Sequence, residues 1–315
     1  MPFEIDSIVA VVMTYNEAPN VERTLKSIYG LCPIVVVDSG STDETEAICR
    51  KYTEHFLVHP YANHSSQWQW ALENLPIKST WFLALDADFV VSKELRDSIV
   101  SDLAKTPADV DGIYVKHQYV FAWNAIRFTG TKRYWLRIVR LVRASVDLSD
   151  LVDFRFTVPG KTIEWNKKFT EYNVHDEDIS TWMKKQDKFS VRLAVEEELR
   201  RRSMLDWEKK PSIFGNSDSR ITWLRDRWLS IPLFIRPIIY FFYRYVLSLG
   251  FLDGRAGFLY HFLQGFWLRL IVDWKIMQIR HLKLSDAELT AFRNQMLKSP
   301  SGSVRDIASL MQLES

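Results

Sequence analysis

A chain of 315 residues that is 47% hydrophobic and 25% charged can bury a full core, which excludes a disordered polypeptide. The formal net charge of +2 conceals an asymmetry: residues 199–280 hold 14 Lys/Arg against 6 Asp/Glu, whereas residues 1–198 hold 23 against 29. Long apolar runs interrupt the basic stretch, which argues against a nucleic-acid groove and suits an anionic membrane surface.

Residues 8–13, IVAVVM, read as a strand buried on both faces, and the N-terminus as this strand rather than a signal peptide. Asn20 is placed to cap a helix with Val21, Leu25 and Ile28 on one face. Residues 34–37, IVVV, form a second buried strand ending at Asp38. Ser41-Thr42-Asp43-Glu44 then fits a capping box for a helix over about 43–52. A short strand near His55–His59, a helix over 65–75, a strand over 81–85 and a helix capped by Ser92 follow. Such alternation predicts a parallel α/β sheet with its ligand at the carboxyl ends of the strands. The glycine patterns of dinucleotide and P-loop sites are absent. The two cysteines, Cys32 and Cys49, lack metal-type spacing and fit a reducing compartment.

Further strands are expected over 112–122 and 134–143, irregular polar chain over 150–178 with a turn at Pro159-Gly160, and a helix from Ile179 to about Arg202. Residues 203–227 read as a linker or mobile segment. Residues 228–251 and 258–280 read as two amphipathic helices lying in a membrane interface, Trp and Tyr at headgroup depth and Arg reaching phosphates. The alternative is a helical hairpin packed on the α/β domain. The expected organisation is a catalytic domain over 1–202, the linker, membrane-associating helices over 228–280 and a helical tail over 281–315.

Three polar clusters sit at predicted strand ends: Thr14-Tyr15-Asn16-Glu17, Asp38-Ser39-Gly40-Ser41 and Asp86-Ala87-Asp88. Buried carboxylates need a cation or hydrogen bonds, so Asp86 and Asp88 either hold a metal or cap a helix. If Ser41 caps the helix at 43, Asp38 is free to accept a bond from a base N–H. Gln67 begins a helix whose N-terminus would abut phosphate, while Trp68 and Trp70 suit the core. Arg137, Arg140 and Arg143 read mostly as a solvated face, one of them able to clamp a phosphate. His55, His59, His64, His117 and His175 read as structural.

The stretches VVMTYNEAPNVERTLKSI, IVVVDSGSTDET and FLALDAD resemble the family 2 glycosyltransferases of GT-A fold, over roughly residues 8–100. SSQWQWALEN resembles the Gln-containing helix start of that family. LVDFRFTVPGK, ISTWMKKQDKFSVRLAVEEE and FLDGRAGFLYHFLQGFWLRLIVDWK are similar to its bacterial branch of lipopolysaccharide-core glucosyltransferases of the WaaE type. The resemblance implies a Rossmann-like α/β nucleotide-sugar-binding domain with a mostly parallel sheet, plus membrane-associated helices. It implies a UDP-sugar donor, a divalent cation (Mg²⁺ or Mn²⁺) and inversion at the anomeric carbon. By position, Thr14, Tyr15, Asn16 and Glu17 would line the nucleoside pocket, with Ser41 and Gln67 near the donor. Asp38 would bond the base, Asp86 would lie by ribose and sugar, and Asp88, with Asp86, would hold the metal. Phe89 stands where the family usually carries an acid. An inverting transfer needs a general base. Asp153 is in position, with the cluster Asp176-Glu177-Asp178 as its rival, although Asp178 or Ser180 would also cap the next helix. The implied acceptor is a lipid-linked glycan or lipid A–core at the cytoplasmic face of the inner membrane. Transfer to polyprenyl phosphate, or a non-catalytic membrane scaffold, are the competing readings.

Overall fold

The computed structural model describes residues 7–128, 134–148, 151, 154–207, 211–214 and 217–298. They divide into two compact units, one within Met1–Ala125 and Lys132–Glu177, the other within Ile126–Thr131 and Asp178–Ser315. The boundary falls between Glu177 and Asp178, earlier than the residue 202 that the sequence suggests.

The first unit is α/β. Its strands are β1 (Ile8–Thr14), β2 (Ile34–Asp38), β3 (His55–Val58), β4 (Trp81–Asp86), β5 (Phe89–Val91), β6 (Val110–Phe121), β7 (Asn124–Ile126), β8 (Tyr134–Arg140), β9 (Ser145–Val146), β10 (Phe156–Thr157) and β11 (Lys161–Glu171). The main sheet runs β3-β2-β1-β4-β8-β6-β11-β5, while β9 and β10 form a separate antiparallel ribbon. β3, β2, β1 and β4 are mutually parallel, as are β6 and β11; β8 and β5 join antiparallel.

The unbroken apolar run of β1 has a direct cause. Ile8, Ala10 and Val12 pack with Val21, Leu25 and Ile28 of helix α1 (Val21–Ile28). Val9 and Val11 point the other way, into a cluster with Trp68 and Ala71 of α3 (His64–Glu73). Successive strand side chains alternate faces, so a sheet covered on both sides needs apolar residues throughout. Between these helices lies the short α2 (Thr45–Cys49), and α4 (Lys93–Asp102) follows β5, capped by Ser92 as expected. Cys32 and Cys49 are both buried, and burial pushes each thiol up to about 12.

Two local expectations fail. Lys161–Glu171 is an eleven-residue strand where irregular chain is expected. Its pattern is disguised by polar residues and by a register shift between Trp165 and Lys168 against β6. Asn20 precedes α1 but makes no side-chain cap, because its amide is engaged elsewhere.

The second unit is helical: α5 (Ile179–Arg201), α6 (Ser217–Ser230), α7 (Arg236–Phe242), α8 (Gly254–Tyr260), α9 (Leu268–His281) and α10 (Asp286–Lys298). α6 occupies part of the expected linker. The predicted helix over 228–251 is broken. Pro232 cannot donate a helical hydrogen bond, and Phe234 and Leu249 adopt left-handed backbone at φ 67° and 61°. A π-helical turn at Tyr243–Leu247 extends α7, and another at His261–Trp267 joins α8 to α9. Charges that the sequence assigns to the outer face turn inward. Arg236 is fully buried, bonded to Asp273 and ion-paired with Glu197 at 2.7 Å. Arg244 and His261 are buried as well. Among the described residues, no helix is long and apolar enough to cross a membrane.

Candidate active site

Strand register assembles the site. Thr14 lies opposite Asp38 and Met13 opposite Asp86, so neighbouring strands β2, β1 and β4 present their polar ends along one edge of the sheet. Two loops there are knitted together. Asn16, at φ 54°, donates its N–H to Ser41 Oγ at 2.8 Å and accepts from Thr42 N at 2.8 Å. Glu17 N donates to Thr45 Oγ1, and Ala18 N to Asp43 Oδ2. Tyr15 stands 58% exposed beside this weld, an aromatic face held in solvent.

Asp38 is the organiser of the loop. It accepts four hydrogen bonds: from Gly40 N and Ser41 N on one oxygen, and from Thr14 Oγ1 and Ser41 Oγ on the other. The expectation that Ser41 relieves Asp38 by capping α2 therefore does not hold. Asp43 takes that part, accepting from Thr45 N at 3.0 Å. A carboxylate offers about four lone-pair sites, so a base N–H would have to share an oxygen of Asp38. Gln67 is buried under the same loops, where its amide donates to Ser39 Oγ and His59 O.

Asp86 ends β4 in a charged setting. Arg137 from β8 reaches its Oδ2 at 3.2 Å, and His64 Nε2, at the start of α3, stands 3.3 Å from Oδ1. Arg137 is buried against the rings of Phe89, Trp135 and Phe154, at 4.9, 4.9 and 4.6 Å. Burial pushes the Asp86 carboxyl up, but Arg137 and His64 together outweigh it and hold the group below the usual carboxylate range. Phe89 is thus one wall of the arginine's box. The sequence reading of Arg137 as mostly solvated and of His64 as structural misses that both face Asp86. The alternation of Arg with apolar residues in β8 and the position of His64 in the first turn of α3 were the available signals.

Asp88 is fixed from the far end of the first unit. Its Oδ2 accepts from Asn173 Nδ2 at 2.9 Å, and its carbonyl accepts from Tyr172 N at 2.9 Å. Asn173 Oδ1 in turn accepts from Asn20 Nδ2, while Asn20 Oδ1 accepts from Arg23 and Val174 N. The segment after β11 is therefore clamped beside the aspartate pair. Replacing the buried Asn173 by Ala strips Asp88 of this donor and is expected to cost about 1–3 kcal/mol, read from urea unfolding. Unchanged stability would mean that water replaces the amide.

The base candidates separate. Asp153 lies outside the described residues. Glu177 accepts from Tyr172 Oη, and this bond pushes the phenol up. Asp176 is buried and accepts from Tyr119 Oη at 2.9 Å. Asp178 accepts from Ser180 N, Thr181 N and Thr181 Oγ1, so it caps α5, and these bonds hold its carboxyl low.

Among the described residues, no group of three or more His, Cys, Asp or Glu side chains is poised to hold a metal. The pair Asp86 and Asp88 nonetheless fits a hard divalent cation whose remaining ligands come from a diphosphate and water. Buried Asp86 Oδ1 has His64 Nε2 3.3 Å away as its neighbour, and both prospective ligands are carboxylates.

Residues 9–154 match the family model Glycosyl transferase family 2. The chain is 28% identical over 148 residues to the lipopolysaccharide core biosynthesis glycosyltransferase LpsC of Rhizobium meliloti (strain 1021), covering 45% of this chain and 54% of that protein. It is 36% identical over 96 residues to an uncharacterized glycosyltransferase of Rickettsia felis, covering 30% of this chain and 33% of that protein. The matches thus span about half or less of those relatives' lengths. The crystal structure of S. aureus TarS 1-349 aligns with a TM-score of 0.37 at 14% identity, covering 87% of this chain and 91% of that one.

Proposed function

We propose that the chain, residues 9–154 of which match the family 2 glycosyltransferases, transfers a sugar, with inversion, from a UDP-sugar to an envelope glycan acceptor. The observation that carries the donor half is the alignment of Asp38, Asp86 and the Thr14–Glu17 loop on one sheet edge. The acceptor half draws on the lipopolysaccharide-core role named for LpsC; a lipid-linked glycan or lipid A–core, met at the cytoplasmic face of the inner membrane, is the acceptor we favour.

The roles follow from the contacts. Asp38 builds the loop that Tyr15 crowns, and Tyr15 offers a ring on which a base stacks. Asn16, Glu17 and Ser41 hold that loop in shape through their own bonds. Gln67 ties it to the end of β3, near the N-terminus of α3, which favours phosphate. Asp86 and Asp88 would hold a divalent cation, Mg²⁺ or Mn²⁺, which when bound neutralises charge on the departing diphosphate. Arg137 keeps Asp86 ionised for that purpose. The acceptor hydroxyl loses its proton to a carboxylate, for which Asp153 and Glu177 are the candidates.

Calorimetric titration of UDP tests the donor half. Binding strengthened by Mn²⁺ is the expected result, and absence of UDP binding with the metal present would refute it. For the base, Asp153→Asn and Glu177→Gln are compared. The true base loses turnover by about 100-fold or more with donor binding kept, while the other variant stays near wild type. Wild-type turnover in both would remove both from the role.

A further inference from the structure

Between residues 231 and 262 the usual polarity of a soluble helix pair is reversed. Ile238, Phe242, Leu247, Leu252 and Phe258 are 58%, 52%, 64%, 55% and 47% exposed. The charged residues of the same stretch turn inward. Arg236 is sealed by Asp273 and Glu197, and Arg244 is buried against the rings of Tyr240 and Tyr260 at 5.3 and 5.0 Å. Asp253 is half-buried and spends its Oδ2 on the N–H groups of Arg127 and Phe128. Among the described residues, this leaves Arg255 as the one exposed charge in the stretch. The apolar face is continuous, because ring contacts of Phe241 with Phe258 and of Tyr245 with Phe251 and Phe258 lock α7 and α8 side by side.

Water-facing helices put charge outward, and soluble monomers rarely expose an apolar patch of more than a few hundred Å². A protein partner would ordinarily meet a polar rim. Hydrocarbon asks for none, and a lone exposed arginine complements an anionic headgroup. α7 with its π-turn covers Arg236–Leu247, well short of the roughly 20 residues a span needs. We propose that residues 235–262 immerse in one leaflet of a phospholipid bilayer as an in-plane wedge, with Arg255 at phosphate level. This reaches beyond the donor chemistry and does not depend on it. The sequence expectation that arginines of these helices reach phosphates does not extend to Arg236 and Arg244, which are neutralised or packed inside.

The test is sedimentation of the full chain with phosphatidylcholine vesicles, and with vesicles containing phosphatidylglycerol, at low and high salt. The expected result is binding to neutral vesicles that survives high salt. Leu247→Asp with Phe258→Asp should weaken it by at least about a hundredfold. Arg255→Glu should weaken binding only to the anionic vesicles. Failure to bind neutral vesicles, or binding abolished by salt, would overturn insertion. So would a lipid-free oligomer dispersed by the double variant, which would assign the face to a second copy. Phe242→Trp supplies a measurement without added charge: bromine in the upper acyl chains should quench its emission, and no quenching would also overturn the wedge. UDP titration of each variant, expected unchanged, separates loss of lipid binding from loss of the donor site.

Discussion

Replacing Arg137 by Met is expected to lower stability by about 3 kcal/mol and to move the acid limit of donor binding to higher pH. The guanidinium is buried among three rings and carries the main counter-charge to Asp86. Removing one partner of a buried pair leaves the other charged and uncompensated, at a cost of about 3–5 kcal/mol. The lower end applies because 22% of the Asp86 side chain is solvent-accessible. The pH effect follows in sign. In the native chain the Asp86 carboxyl lies below its unfolded value, so its stabilisation is complete above that unfolded value and is lost as pH falls through the folded one. Burial is already the largest single influence on this carboxyl; without Arg137 the main opposing influence is gone and burial drives it upward, so the charged form is reached only at higher pH. UDP titrations across the acid range, with urea unfolding near neutrality, measure both. A variant with native stability and an unshifted acid limit would show that His64 alone suffices for Asp86.

Changing Asp88 to Asn is expected to remove the metal-dependent part of UDP binding while leaving the fold intact. The amide carbonyl can still accept from Asn173 Nδ2, so the clamp to the segment after β11 is preserved. The negative charge is not, and a hard cation without it loses affinity by about 100-fold or more, since changes behind a direct ligand already cost about 10–100-fold. Calorimetry with and without Mn²⁺ separates the two parts. Equal metal dependence in variant and wild type would take Asp88 out of the cation's ligands.

Much of the first unit was legible because burial on both faces writes itself as runs such as IVAVVM and IVVV. Acids at the ends of such runs mark the sheet's functional edge, and parallel register brought Asp38 and Asp86 there. What stayed hidden was tertiary. Asn20 and Ser41 look like caps by local rules, yet distant partners claim both side chains: Asn173 for Asn20, and the Asn16 N–H for Ser41. β11 hides because KTIEWNKKFTE lacks clean alternation and relies on pairing with β6. Arg137 looks like surface charge until Phe154 and Trp135 close over it. In the second unit the aromatic and basic composition was plain, but which residues faced out was not. That depended on Asp273 and Glu197 drawing Arg236 inward from helices far along the chain.

The two cysteines give the first unit an internal clock. A thiol reacts as its thiolate, and burial pushes both thiols up to about 12, so neither is appreciably ionised at neutral pH in the folded chain. Alkylation of Cys32 and Cys49 therefore counts openings of the α/β core, one on each side of β2 in the chain. The same inertness lets a single surface cysteine, placed for instance at Leu247, be labelled selectively without first removing the native pair.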